Sequence, residues 1–397
     1  MRGWHNQVMR TLTAARLWDG TSLLANPVLQ IEDGLIRSIS TRAEAETPSS
    51  AQDHFPGATL APAFFDVHIH GAAGHDVMEA TPEALSSIGR FLASRGTGSY
   101  LATTVTAPLD LTLSALDGLA KLIDHPGLIQ SQSPKAHFAL PIGIHLEGPF
   151  LSHAKCGVQP KEHLLTPDIA VFDRLFEAAG GHARLMTLAP ELPGAIELAA
   201  HATRRGVRVS LGHSDARSQE TRAAIAAGAI SATHTFNAMR PLDHREPGIL
   251  GTVLSTDSLF AELICDGIHT APEIVKLWWR AKGPDRAILV TDAMSAAGMP
   301  DGEYRLGDFS VQVANGRATA RGVLAGSVLT LDRALENFIR FTGAPLELAL
   351  GLLTVNPAAM TGLAAKAGSL AVGQPANLVA VDAQGKLVAS IHNGQTA

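Results

Sequence analysis

The stretch VRVSLGHSDARSQETRAAIAAGAISATHTF, residues 207–236, decides the fold. It opens with an apolar, β-branched run that stops at Gly212 and His213. Residues 218–227 then carry helical spacing, and a second β-like run, 231–234, ends on His234. Strand, helix and strand, with a histidine closing each strand, is the repeating unit of a parallel sheet. In a (β/α)8 barrel such strand ends converge on the C-terminal mouth, where functional side chains gather.

The same alternation extends in both directions, from Thr59 to about Gly351. Strands are expected at 59–63, 99–103, 142–145, 185–188, 208–211, 231–234, 260–264 and 287–291. Helices are expected at 82–95, 109–123, 167–179, 194–205, 218–227, 272–281 and 327–342. Eight strands is the barrel number. Before them, short strands at 8–17, 28–32 and 35–40, the last two separated by the Asp33-Gly34 turn, form a small β unit. Residues 41–54 lack a period and read as a linker. The tail returns to β character at 378–381 and 387–391. The expected fold is therefore α/β: a TIM-like barrel over 59–351, inserted into a small β-sandwich domain assembled from 1–58 and 352–397.

At 397 residues and 46% hydrophobic, the chain holds a barrel of roughly 250 residues and a second unit beside it. A net charge of −6 with no concentrated Lys/Arg run argues against nucleic acid as a partner. The two cysteines, Cys156 and Cys265, exclude a disulfide framework and fit a reducing compartment. Arg2, His5, Asn6, Gln7 and Arg10 interrupt the start of the chain, so no secretory leader is expected. No apolar run reaches the roughly 20 residues that span a bilayer. The expectation is a cytoplasmic protein with no membrane partner.

Six side chains capable of metal binding or proton transfer stand at the ends of apolar runs: His68, His70, Glu147, His213, His234 and Asp292. In an extended strand, positions i and i+2 face one side, so His68 and His70 can reach a common ion, although a His-x-His taken alone is as often a surface or structural pair. Glu147 stands where an apolar strand meets the Gly148-Pro149 breaker; taken singly, such a Glu is more often a solvated loop residue. His145 shares its face and is either a partner of the site or simply packed. Asp292 closes the run 288–291, where it either completes a metal shell, takes a proton, or caps the following helix. Three His-bearing strand ends together with a Glu-bearing one point to a metal centre, and the metal centre to a hydrolase. Imidazole and carboxylate ligands suit zinc, iron, manganese or cobalt, with no thiolate to select among them.

The neighbours of these residues carry a family resemblance over almost the whole chain. His-Leu-Glu-Gly-Pro (145–149), Gly-His-Ser (212–214), Thr-His-Thr-Phe-Asn-Ala-Met (233–239), Arg-Glu-Pro-Gly (245–248), Asp-Gly-Ile-His (266–269) and Thr-Asp-Ala (291–293) are the diagnostic pieces. Leu-Ala-Gly-Ser (324–327), Asn-Pro-Ala (356–358) and the segment 368–378 fit as well. Together they resemble the amino-sugar-6-phosphate deacetylases of the amidohydrolase superfamily. The resemblance implies hydrolysis of the acetamide of N-acetylglucosamine-6-phosphate to glucosamine-6-phosphate and acetate, by a homodimer. It implies Glu147, His213 and His234 as ligands of the main divalent ion, zinc or iron foremost and manganese or cobalt otherwise. Asp292 is then the acid/base, and His68 with His70 allows a second ion bridged by Glu147. The backbone around Asn237 and Ala238, together with Arg245 and His269, is implied to hold the phosphate, with Arg245 reaching across the dimer. Val158, Gln159, Asp266, Gly267, Ile268, Leu324, Ala325 and Gly326 are implied to line the sugar and acetyl pocket.

One departure bears on the substrate. Where that family usually presents a substrate-contacting histidine, this chain reads Lys155-Cys156-Gly157-Val158-Gln159-Pro160. An amide donates a hydrogen bond but carries no charge, so N-acetylgalactosamine-6-phosphate stands as an alternative substrate, with His153 or His163 as a compensating imidazole. Two other readings are a cyclic-amide hydrolase, weakened by Glu147 standing where such enzymes often carry a carboxylated lysine, and a non-catalytic scaffold. The scaffold is weakened by retention of all six site residues.

Overall fold

A computed structural model describes residues 9–42, 53–134 and 136–396. Its centre is an eight-stranded sheet of parallel strands whose spatial order follows the chain: Phe64–Ile69, Thr97–Thr104, Leu140–Glu147, Ala183–Leu188, Arg208–Leu211, Ala229–Ala232, Phe260–Ile264 and Ala287–Val290. Helices connect successive strands and bury their apolar faces in one continuous core with them. Local chemistry sets where those helices begin. Thr81 caps Pro82–Ser94 by accepting from Ala84 N, with proline at the first helical turn, and Asp168 caps Ile169–Ala178 through Val171 N.

The first and eighth strands meet through side chains and neighbouring loops. The buried Asp66 carboxylate accepts from Thr291 Oγ1 at 2.6 Å, Asp292 N donates to His68 O at 2.9 Å, and Ile69 bridges Ala293. At the opposite end Phe65 N and Leu289 N donate to the carbonyls of Leu353 and Leu352. Burial pushes the Asp66 carboxyl up to about 7 despite the donors Thr291 Oγ1, His68 N and Thr291 N.

The second unit is a sheet shared by both ends of the chain. Asp53–Pro62 pairs in parallel with Arg10–Trp18 on one side and antiparallel with Leu378–Val381 on the other. Pro27–Glu32 and Leu35–Thr41 extend one wing, and Leu387–His392 the other. The wings enclose a core of their own, including Leu12, Leu29, Ile36, Leu60, Leu378 and Ile391.

Several expectations shift. The run 59–63 is not the first barrel strand: residues 59–62 lie in the terminal sheet, and the barrel begins after Ala63, at Phe64–Ile69. Both runs are apolar, and only their pairing partners distinguish them. Leu352, Leu353, Ala358, Met360 and Leu363, expected in the terminal unit, pack in the barrel core. The helix expected from 327 starts at Leu331, because Ser327 N is held by Asp292 O at 2.7 Å. A four-stranded antiparallel insertion, Gly302–Leu306, Phe309–Ala314, Arg317–Ala320 and Val323–Leu324, was not expected at all. Of the linker 41–54, residues 43–52 lie outside the described residues, as do residues 1–8, on which the expectation of no secretory leader mainly falls. Among the described residues no helix is long and apolar enough to cross a membrane.

Candidate metal centre and active site

Each candidate ligand occupies the mouth end of a barrel strand or the residue or two just beyond it. His68 lies within the first strand and His70 directly after it; Glu147 ends the third. His213, His234 and Asp292 follow the fifth, sixth and eighth strands, where the chain turns with φ of 47°, 26° and 49°. Non-glycine residues held there cost about 1–3 kcal/mol each, an expense that concentrates at functional sites. Gly148 has φ 89°, and a Cβ there would collide with Thr106 Oγ1, so the turn that presents Glu147 requires glycine.

Glu147 is the hub. Its Oε1 lies 3.1 Å from both His213 Nε2 and His234 Nε2 and 3.3 Å from His68 Nε2; its Oε2 lies 3.3 Å from His70 Nε2. Two groups of ligand atoms result, each within 4.8 Å: His68, His70 and Glu147, and Glu147, His213 and His234. Asp292 Oδ1 stands 3.1 Å from His70 Nε2 and 3.6 Å from His68 Nε2. The rings are oriented from behind, His70 Nδ1 donating to Thr103 O at 3.1 Å and His213 Nδ1 to Lys155 O at 3.0 Å. Such contacts leave Nε2 as the metal-facing nitrogen. His145 points away, 2.8 Å from Thr187 Oγ1, and packs edge-on against the His68 ring. Burial holds it well below its ordinary value, so it remains neutral.

The residues fit a divalent cation. His68 Nε2 is a buried polar atom with no hydrogen-bond partner, turned toward Glu147. Burial alone would pull the imidazoles down. The Glu147 and Asp292 carboxylates outweigh it, holding His68 well above its ordinary value and His70 at about 9. Burial would likewise raise the carboxyls, yet the facing histidines drive Glu147 well below its usual range and Asp292 to about 2. The cluster is organised around positive charge.

Around it opens a cavity of about 350 Å³, lined by His70, Glu147, Val158, Gln159, His213, His234, Asn237, Ala238, His269, Asp292, Leu324 and Gly326, all anticipated from sequence. Asp266 stands behind His269, 2.6 Å from its Nδ1. Burial would raise the Asp266 carboxyl, but the His269 contacts and backbone donors bring it below its ordinary value. Ile268 N shares the Asp266 carboxylate, Gly267 is exposed and Ala325 is buried. Arg245 is exposed and outside the lining, its N–H bound to Asp243. Gln159 is buried, with both ends of its amide engaged: Nε2 donates to Glu147 Oε2 at 2.7 Å, and Oε1 accepts from Thr106 N at 2.8 Å. His153 and His163 are absent from the lining.

Sequence reasoning missed Gly157, Leu306 and Val323 in the lining. The last two come from the antiparallel insertion, whose hairpin turn Asn315-Gly316 was the available signal. It also missed Glu262, whose signal was a lone charge inside an apolar strand.

Comparison with known proteins agrees in sequence and in structure. The model of the amidohydrolase family matches residues 59–396. An N-acetylgalactosamine-6-phosphate deacetylase from Escherichia coli O157:H7 is 39% identical over 372 residues, 94% of each chain. An N-acetylglucosamine-6-phosphate deacetylase from Bacillus subtilis is 36% identical over 379 residues, 94% of this chain and 93% of that one. The crystal structure of N-acetyl-D-glucosamine-6-phosphate deacetylase from Mycobacterium smegmatis superposes with a TM-score of 0.88 at 35% identity, covering 98% of this chain and 100% of that chain.

Proposed function

The chain belongs to the amidohydrolase family, and from that premise we propose that it is a metal-dependent deacetylase of N-acetylglucosamine-6-phosphate, releasing acetate and glucosamine-6-phosphate. The observation that carries this reading is Glu147 shared between two histidine pairs, with Asp292 beside the His68–His70 pair, all at the floor of a cavity of sugar-phosphate size. A divalent ion bound there, zinc or iron foremost, supplies Lewis acidity that polarises the acetyl carbonyl and acidifies water. Glu147, His213 and His234 hold the first ion; His68, His70 and Glu147 form a position for a second.

Asp292 carries the proton. It takes one from the attacking water and delivers it to the amine nitrogen as the C–N bond breaks. Burial would raise its carboxyl, but the facing histidines hold it low and ionised, the form that accepts a proton. His269, held through Nδ1 by Asp266, has Nε2 left for the phosphate, alongside the backbone at Asn237 and Ala238. Val158, Leu324, Ala325 and Gly326 shape the acetyl and sugar end, with Gly267 and Ile268 beside His269. Arg245 is assigned to the phosphate of a second copy in a homodimer, where its planar fork pairs with two oxygens. The assigned compartment is the cytoplasm.

A second substrate, N-acetylgalactosamine-6-phosphate, has a specific basis: the relatives named for the two sugars are almost equally similar to this chain, at 39% and 38% identity. Purified protein with added divalent metal is offered each 6-phosphate and acetate is measured. Metal-dependent release from the gluco compound is expected; none at high enzyme concentration refutes the reading, and faster release from the galacto compound reassigns the sugar.

A further inference from the structure

Glu262 sits mid-strand in Phe260–Ile264 among apolar residues, and its side chain is fully buried. A carboxylate in such a place is strongly destabilising unless it has partners. Its Oε2 lies 3.3 Å from His68 Nδ1 and 3.4 Å from His234 N, while Oε1 has no hydrogen-bond partner. His70 and His213 rest Nδ1 on backbone carbonyls, and His234 Nδ1 has no partner. Among the described residues, His68 is the one metal-facing histidine backed by a carboxylate.

A carboxyl oxygen facing a ring nitrogen accepts from its N–H, so this contact places the ring proton on Nδ1 and leaves Nε2 free, pointing at Glu147 Oε1. A carboxylate behind a ligating histidine fixes its tautomer and strengthens it as a donor.

We propose that Glu262 is the positioning residue of the second ion: by holding His68 from behind, it determines whether the position formed by His68, His70 and Glu147 fills. This rests on the reading of the chain as a hydrolase with two cation positions. A purely structural Glu262 would affect folding without distinguishing one ion from the other.

The test loads wild type, Glu262→Gln and Glu262→Asp with zinc, counts zinc per chain by elemental analysis, and titrates each ion against a chelator, with circular dichroism reporting the fold. Wild type is expected to hold two zinc ions. In Glu262→Gln the second should bind about 10–100-fold more weakly, with the first shifted by no more than about threefold. Glu262→Asp keeps the carboxyl group but withdraws it by one methylene, is expected to weaken the same ion, and decides the matter if the glutamine variant does not fold. A folded variant that fills both positions with wild-type affinity overturns the proposal alone, as does equal weakening of both ions. Wild type that takes one zinc at saturation overturns the two-position reading, and the proposal with it.

Discussion

Replacing Gln159 with leucine separates two roles for this side chain. The change nearly preserves volume but removes the donor to Glu147 Oε2 (2.7 Å) and the acceptor for Thr106 N (2.8 Å). The first bond ends on a charged group and contributes about 1.5–3 kcal/mol; losing the second strands a buried N–H at about 1–3 kcal/mol, roughly 2.5–6 kcal/mol together. Over 397 residues, unfolding entropy amounts to roughly 0.8 kcal/mol/K, so Tm falls by about 3–7 °C in a metal-free melt treated as one transition. Activity falls too, because Glu147 loses the contact that sets the roll of its carboxylate between the two histidine pairs. Since the clamp acts on Glu147 and not on the sugar, kcat/KM for the gluco and galacto 6-phosphates should fall by the same factor. The assays are calorimetry of the metal-free protein and acetate release from both sugars. An unchanged Tm with a sugar ratio altered more than about tenfold, or 1.4 kcal/mol, would refute this reasoning and make Gln159 a reader of the C4 hydroxyl.

Asp292→Asn keeps the shape but cannot accept a proton, so kcat should drop by about 10²–10⁴ while elemental analysis still finds the ion held by Glu147, His213 and His234; a loss below tenfold would exclude Asp292 as the proton carrier. His269→Asn should raise KM for the 6-phosphate by roughly tenfold, about 1.4 kcal/mol, and leave turnover of the unphosphorylated sugar nearly unchanged; equal effects on both would remove His269 from the phosphate site. His392 joins the terminal sheet to the barrel, its Nε2 3.2 Å from Ala93 O, and burial holds it at about 4. Between the unfolded value of 6.5 and 4 the unfolded chain binds the extra proton, so stability is full above 6.5 and declines as pH falls. The loss is on the order of 3 kcal/mol by pH 4. His392→Gln should flatten that slope in pH-dependent denaturation, and an unchanged slope would contradict it.

Local chemistry carried much of the fold. The runs 208–211 and 260–264 coincide with observed strands because apolar, β-branched residues bounded by breakers specify a strand wherever they lie. The helix from Pro82 was legible for the same kind of reason, its threonine cap and first-turn proline being neighbours in sequence. That the six candidate residues gather was legible through position: each ends an apolar run, and parallel barrel strands bring such ends together. The failures share a cause. Residues 59–62 and Phe64–Ile69 are both apolar, and their assignment depends on pairing with Arg10–Trp18, Leu378–Val381 or Thr97–Thr104.

By itself, then, the sequence determined which side chains reach the barrel mouth and that they suit a cation, since strand period and residue chemistry are properties of short segments. Only the tertiary structure decided how those side chains are held. Gln159 grips Glu147 from a loop twelve residues on, and Glu262 stands behind His68 across 194 residues of chain. Contacts of that kind arise from how strands and loops distant in sequence are brought together around the barrel, which no local pattern encodes.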